Sequence, residues 1–176
     1  QIDSCVRDIG IDACKIGMLY SHQIVSSVSE RLRRREIKRV VLDSVTFAKD
    51  GTRLLLSKAV DCMKHQLLPL CELVAPNLEE AGLLSGIEVK DVSSAVDAAG
   101  AIFAMGSKNV LVKGGQFAGE PVDILFDGEN VHRFPGRRIE GRVMHGTGCV
   151  LTAAIAARLA LGESVYDAVK FAKDYV

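Results

Sequence analysis

The sequence predicts an α/β fold, a mostly parallel sheet with helices packed against it, formed as a single domain over residues 1–176. Three observations predict it. Apolar runs rich in β-branched residues alternate along the chain with helical patterns, the signature of βα units. Each run closes on residues better suited to a ligand than to more core, and in open α/β sheets ligands sit outside the carboxyl ends of the strands. With 176 residues, 48% of them hydrophobic and 25% charged, the chain is long enough and apolar enough to bury a core.

In chain order, strands are expected at Ala13 to Leu19, Arg39 to Val45, Glu72 to Ala75 and Asn109 to Lys113. Helices are expected between them at Ser21 to Arg34, Ser57 to Leu68, Leu78 to Leu84 and Val92 to Met105. Val122 to Phe126 and Asn130 to Phe134 flank Asp127-Gly128-Glu129 and read as an antiparallel hairpin. Two helices follow, Thr147 to Leu161 and Ser164 to Tyr175. The first carries only Thr152 and Arg158 as polar residues between Val150 and Leu161, which predicts a helix buried all round. Gly162 signals its end, and Ser164 with Asp167 the start of the next.

Composition excludes several classes of partner. Lys plus Arg and Asp plus Glu both number 22, so no net field recruits nucleic acid or an anionic membrane, and any bound anion must be held locally. No apolar run reaches the roughly 20 residues that span a bilayer. The five cysteines, Cys5, Cys14, Cys62, Cys71 and Cys149, form no C-x-x-C pair, against a disulfide framework or zinc site. A reducing compartment, cytoplasmic or plastid-like, is expected. The chain opens on Gln1 rather than Met with a strand pattern close behind, and so reads as a piece of a longer translation product.

The densest motif is Gly146-Thr147-Gly148-Cys149 at the entrance to a helix. Free backbone N–H groups and the positive end of the helix dipole converge there, and the glycines let a ligand approach the backbone. The same residues also suit an ordinary Gly-rich turn. Cys149 falls on the first helical turn, where a thiol pKa is depressed, so it is a candidate to take a proton from an attacking hydroxyl; the alternative is a small buried hydrophobe. His145 reads either as a phosphate contact or as a positioning histidine. Lys113, before Gly114-Gly115, ends its strand with an ammonium that can point at nucleotide phosphates or lie along the surface. Asp43 closes its strand in the same way, as a magnesium ligand or a turn former. Asn77-Leu78-Glu79-Glu80 matches a helix capping box and equally a magnesium-and-phosphate motif, with Glu80 organising water around Mg²⁺. Arg31 to Arg35 with Lys38 and Arg39, lacking interleaved aromatics, read as a solvated helix end.

Together KIGML (Lys15 to Leu19), VLDSVTFAKDG (Val41 to Gly51), APNLEEA (Ala75 to Ala81), VLVKGG (Val110 to Gly115) and HGTGC (His145 to Cys149) closely resemble the hydroxymethylpyrimidine/phosphomethylpyrimidine kinases of thiamine biosynthesis. That resemblance implies a three-layer ribokinase-like fold and transfer of the ATP γ-phosphate, with Mg²⁺, to a hydroxymethylpyrimidine and then to its monophosphate. It implies Cys149 as the catalytic residue and the Gly146, Thr147 and Gly148 backbone as an anion hole. Lys113, Asn77 and His145 would serve ATP, Asp43 and Glu80 the metal, and Met18 and Val45 the flat pyrimidine ring. Sugar kinases and many pyridoxal kinases of the superfamily carry Asp where Cys149 stands, which sets a pyridoxal-type kinase second. Ser44, Thr46, Met144 and Val150 stand where the family usually has Pro, Met, Thr and Thr. The family's N-terminal βαβ portion has no counterpart before KIGML, so the expectation is an N-terminally truncated domain. Its open sheet edge favours a homodimer, and a ligand-binding remnant without catalysis is the reading from another class.

Overall fold

The computed structural model describes residues 1–48, 51–138 and 146–176. Its strands are β1 (Cys14–Ile16), β2 (Val40–Leu42), β3 (Leu73–Val74), β4 (Val110–Val112), β5 (Val122–Phe126) and β6 (Val131–Pro135). They form one sheet in chain order; β1 to β4 run parallel, and β4, β5 and β6 pair antiparallel. The helices are α1 (Ile2–Asp8), α2 (His22–Arg34), α3 (Ser57–Cys62), α4 (Leu78–Ser85), α5 (Val92–Phe103), α6 (Thr147–Ala160) and α7 (Val165–Tyr175).

Period-2 alternation along each short strand divides the core into two. Val40, Leu42, Val74, Val110, Val112 and Ile124 face one way, onto buried residues of α2 to α5. Val41, Leu73, Leu111 and Leu125 face the other way, onto Leu151, Ile155 and Leu159 of α6 and Val169 of α7. The result is three layers, helix, sheet and helix, each stabilised by fully buried aliphatic side chains contributing about 1.5–3 kcal/mol apiece.

Four sequence expectations change. β1 to β4 are shorter than the apolar runs, while the hairpin strands keep their expected length, because residues past the parallel ladder turn into loops: Val45 N–H donates to Asp43 O at 2.8 Å, a tight turn directly after β2. The helix expected over Ser57 to Leu68 breaks after Cys62 into a π turn, Met63–Leu67, and a 3₁₀ turn, Leu68–Leu70, where Pro69 has no N–H to continue the ladder. Helix α6 is not buried all round. Leu151, Thr152, Ile155, Ala156 and Leu159 face the sheet, while Val150, Ala153 and Ala157 are exposed, so its apolar periphery consists mainly of alanines at the surface. Helix α1 was not anticipated; it buries nothing and is tied down by Asp3, which pairs with Arg31 at 3.2 Å and Arg35 at 2.7 Å. The basic run is thus partly engaged, with Arg33 donating to Gln66 O at 2.7 Å.

Candidate active site

The side-chain alternation that builds the second core face also places the site. Asp43 lies two residues after Val41 and Lys113 two residues after Leu111, so both side chains emerge beneath α6 at the carboxyl ends of their strands. Lys113 is fixed from the backbone: its N–H donates to Pro76 O at 2.8 Å, and it pairs with Asn77 in a parallel bridge just beyond β3 and β4. Its ammonium meets Asp43 Oδ1 at 2.6 Å, with the lysine side chain only 15% exposed. This excludes a lysine lying along the surface.

Asp43 is the hub. It is 2% exposed, and its Oδ2 lies 3.5 Å from Lys15 Nζ and 3.2 Å from the Thr152 hydroxyl, with the Cys149 thiol beside the carboxylate. Burial opposes its ionisation, but Lys113 and Lys15 outweigh burial and hold the carboxyl below its ordinary range. Lys15 and Thr152 join this cluster, although the motifs did not single them out. A lysine inside the three-residue strand β1 and the single buried hydroxyl of α6 were the signals.

The N-terminus of α6 reaches this cluster. Gly146 takes a left-handed conformation, φ 86°, and no side chain caps the helix among the described residues, so the first-turn amides remain available to an anion. A Cβ on Gly148 would lie 3.4 Å from Lys113 Nζ, and one on Gly17 would lie 3.2 Å from Lys15 Nζ. These two glycines leave room for both ammoniums beside the helix terminus. Cys149 is exposed at the first turn. Its thiol is not depressed as the helix position predicted. Partial burial and then the hydrogen bond and charge of Asp43 raise it, and these exceed the lowering by Lys15 and Lys113.

Asn77 and Glu80 do form the capping box. Asn77 Oδ1 accepts from Glu80 N–H at 2.9 Å, and Glu80 Oε2 accepts from Asn77 N–H at 2.9 Å. Glu80 is nevertheless 3% exposed and faces the hub, with Oε1 accepting from Thr46 N–H at 3.4 Å and Oε2 from the Ser44 hydroxyl at 3.5 Å. Burial pushes its carboxyl up, and the nearby Asp43 charge adds to this. Of the chain's departures from the family pattern, Ser44 thus supports this carboxylate with its hydroxyl, whereas Thr46 reaches it only through the backbone and turns its own hydroxyl to Ser44 O at 3.1 Å.

Met18, 50% exposed, and half-buried Val45 stand in the loops that follow the adjacent strands β1 and β2. Between Met18 and α2, Tyr20 sits at φ +59°, a conformation uncommon for a bulky residue. His145 and Met144 lie outside the described residues. No group of three or more His, Cys, Asp and Glu side chains arranged to hold a metal occurs among the described residues. Asp43 and Glu80 thus do not make a closed protein cage, but they fit Mg²⁺, which takes one or two carboxylates and completes its shell with water and phosphate oxygens. Two surface grooves, of about 520 Å³ beside Leu78, Ile87 and Gln116 and about 430 Å³ between Arg158 and Phe171, contain none of these residues. The cluster is a shelf at the sheet's edge, and its claim rests on its charges and amides.

The profile of the phosphomethylpyrimidine kinase family matches residues 1–176. A hydroxymethylpyrimidine/phosphomethylpyrimidine kinase of Streptomyces coelicolor is 43% identical over the whole chain, which covers 65% of that relative. The phosphomethylpyrimidine kinase of Clostridium difficile 630 superposes with a TM-score of 0.86 at 34% identity, over 99% of this chain and 71% of that one. A pyridoxal kinase of Bacillus subtilis, solved as an ADP complex, gives 0.91 at 32% identity over 99% of this chain and 66% of its own. The chain thus spans about two thirds of the length of such kinases and has their ribokinase-like fold. With its whole length matched and its strand-end motifs gathered at one helix terminus, the chain belongs to the phosphomethylpyrimidine kinase family.

Proposed function

We propose that the protein transfers the γ-phosphate of ATP to the hydroxymethyl group of an aminopyrimidine and to the resulting monophosphate, as a step of thiamine synthesis. The observation that carries this reading is the convergence of Lys15, Asp43, Lys113 and Cys149 on the uncapped N-terminus of α6. Phosphoryl transfer needs fixed positive groups around the equatorial oxygens, and two ammoniums and a row of amides supply them without rearrangement.

In this reading the proton chemistry falls to Cys149 and Asp43. Cys149 begins as a thiol donating to Asp43, which its two lysines keep ionised. As the substrate oxygen bonds to the γ-phosphorus and the bond to the β-phosphate oxygen breaks, the substrate's hydroxyl proton passes to the Cys149 sulfur and the thiol proton to Asp43. ADP leaves with the electron pair of the broken bond. Asp43 and Glu80 would hold Mg²⁺, which when bound would supply positive charge to the phosphate region. Lys113 and the Gly146-Thr147-Gly148 amides hold the transferring group, with Asn77 beside them. Met18 and Val45 offer an apolar wall for the ring.

The test is ATP turnover with hydroxymethylpyrimidine and its phosphate by the full-length protein and by Cys149→Ala. The variant is expected to lose about a hundredfold or more in kcat with an unchanged melting temperature. Undiminished turnover would remove Cys149 from the reaction. A pyridoxal-type kinase is the second reading, favoured by the superposition on the Bacillus subtilis enzyme. Turnover of pyridoxal above that of the pyrimidine would establish it instead.

A further inference from the structure

One buried carboxylate takes no part in the cluster around Asp43, yet it touches the loop that carries Lys113. Asp123 of β5 is 4% exposed. It is paired in register with Phe134 and lies two residues from Leu125, so it occupies the apolar face beneath α6 and α7. Its Oδ2 meets Lys173 Nζ of α7 at 2.9 Å, and its Oδ1 accepts from Gly114 N–H at 2.8 Å.

A buried ion pair at such a place is a poor source of stability, because desolvating both charges offsets their attraction and hydrophobic residues of similar volume in place of both partners would serve as well. What the carboxylate fixes is a backbone amide directly after Lys113. The surrounding packing shows how tightly that amide is placed. A Cβ on Gly114 would lie 1.9 Å from Val122 O and 2.5 Å from the Phe117 ring, so this residue can only be glycine. Phe117 N–H donates back to Gly114 O at 3.1 Å, and Arg138 donates to Phe117 O at 2.7 Å, closing the turn. Gly114 is buried, whereas Gly115 and Gln116 are exposed at the rim beside the candidate phosphate site.

We propose that Asp123, clamped by Lys173, is a positioning residue. It anchors the Gly114 amide so that Lys113 stays directed at the α6 terminus and the Gly115 backbone is presented to the nucleotide phosphates. This rests on the nucleotide reading above and extends it to α7, whose Lys173 lies sixty residues beyond Lys113 in the chain. Asp123 itself touches no substrate and acts through Gly114.

Asp123→Leu, Asp123→Asn and Lys173→Met in the full-length protein test it, read by calorimetry with MgATP, melting temperature and hydrogen exchange at Gly114. Asp123→Leu is expected to weaken ATP binding about tenfold or more, with rapid exchange at Gly114 and a lowered melting temperature, because Lys173 and the Gly114 N–H both lose their partner. Asp123→Asn keeps an oxygen for the Gly114 N–H and recovers most of the affinity. Lys173→Met falls between. In turnover the KM for ATP rises while that for the pyrimidine stays constant. An Asp123→Leu variant that folds and binds ATP within twofold of the parent overturns the proposal. If that variant does not fold, unchanged Gly114 exchange and ATP affinity in Lys173→Met overturn it. Failure of the parent to bind ATP would sink the nucleotide reading instead, and Gly114 exchange in the variants would still decide the clamp.

Discussion

The two faces of the sheet are built from the same short strands and behave as two different materials. Beneath α2 to α5, consecutive inward positions are aliphatic from Val40 to Ile124, and that face only packs. Beneath α6 and α7 the aliphatic row is interrupted by Lys15 within β1, by Asp43 and Lys113 at the carboxyl ends of β2 and β4, and by Asp123 within β5. The charged groups are concentrated on the face that a helix terminus crosses. The opposite face supplies rigidity, so that charged groups on strand ends a few ångströms apart need no induced movement to act together.

Leu42 and Asp43 are consecutive residues on opposite faces and make the strongest test of that division. Leu42→Ala should cost about 2–5 kcal/mol of stability, since it opens a cavity in a fully buried cluster, and leave kcat per folded molecule within a few-fold. Asp43→Asn should cost about 3 kcal/mol, by leaving two ammoniums without their partner, and should also reduce turnover by about a hundredfold or more. Urea unfolding and turnover on the same preparations separate the two outcomes. Equal losses of kcat in both variants would erase the distinction between the faces.

The pH dependence sharpens it, because the two carboxyls of the site are shifted in opposite directions. Asp43 is held below its ordinary 3.8 by its lysines, so its contribution is present above the unfolded value and is lost as pH falls through the folded one. Glu80 is raised above 4.5 by burial, so its contribution is present below the unfolded value and is lost as pH rises through the folded one. The stability gap between the parent and Asp43→Asn should therefore be constant near neutrality and close below about pH 4. Glu80→Gln should flatten the loss of stability as pH rises from about 4.5. Urea midpoints from pH 3 to 8 measure both.

The sequence made the strands, their order of motifs and the helix after HGTGC legible, because β-branched runs and glycines mark these locally. It exposed Asp43 and Lys113 because each ends a strand, and Asn77, Glu80 and Cys149 because each lies at the start of a helix. It did not expose their mutual arrangement. The thiol of Cys149 was expected to be acidic from its helix position, and partial burial followed by the three-dimensional neighbour Asp43 reverses that sign. Thr152 was a lone polar residue in an apolar helix until Asp43, 109 positions earlier, gave it a partner. Such long-range pairs carry no local periodicity. The π turn at Met63–Leu67 escaped because its apolar spacing still reads as helical up to Pro69.

A smaller effect is expected from the thiol. Held above its ordinary 9.0 first by burial and then by Asp43, Cys149 should alkylate with iodoacetamide more slowly at pH 8 than a free cysteine. In Asp43→Asn the rate should rise several-fold, while remaining below that of the free amino acid because burial persists. Peptide mapping distinguishes Cys149 from exposed Cys5. A parent rate above that of free cysteine would restore the acidic thiol and move proton abstraction back to Cys149 alone.

The smallest effect distinguishes the two uses of the Asn77 and Glu80 pair. Asn77→Ala removes the side-chain acceptor for Glu80 N–H and should cost about 1 kcal/mol, the usual value of an N-cap. Asn77→Asp keeps that acceptor and should restore the stability. If Asn77 only caps α4, the aspartate variant turns over at the parental rate. If its amide group also donates to the phosphates, an acceptor-only side chain repels them and the KM for ATP rises although the helix is fully capped. The difference between restored stability and unrestored KM is then the contribution of Asn77 to the site.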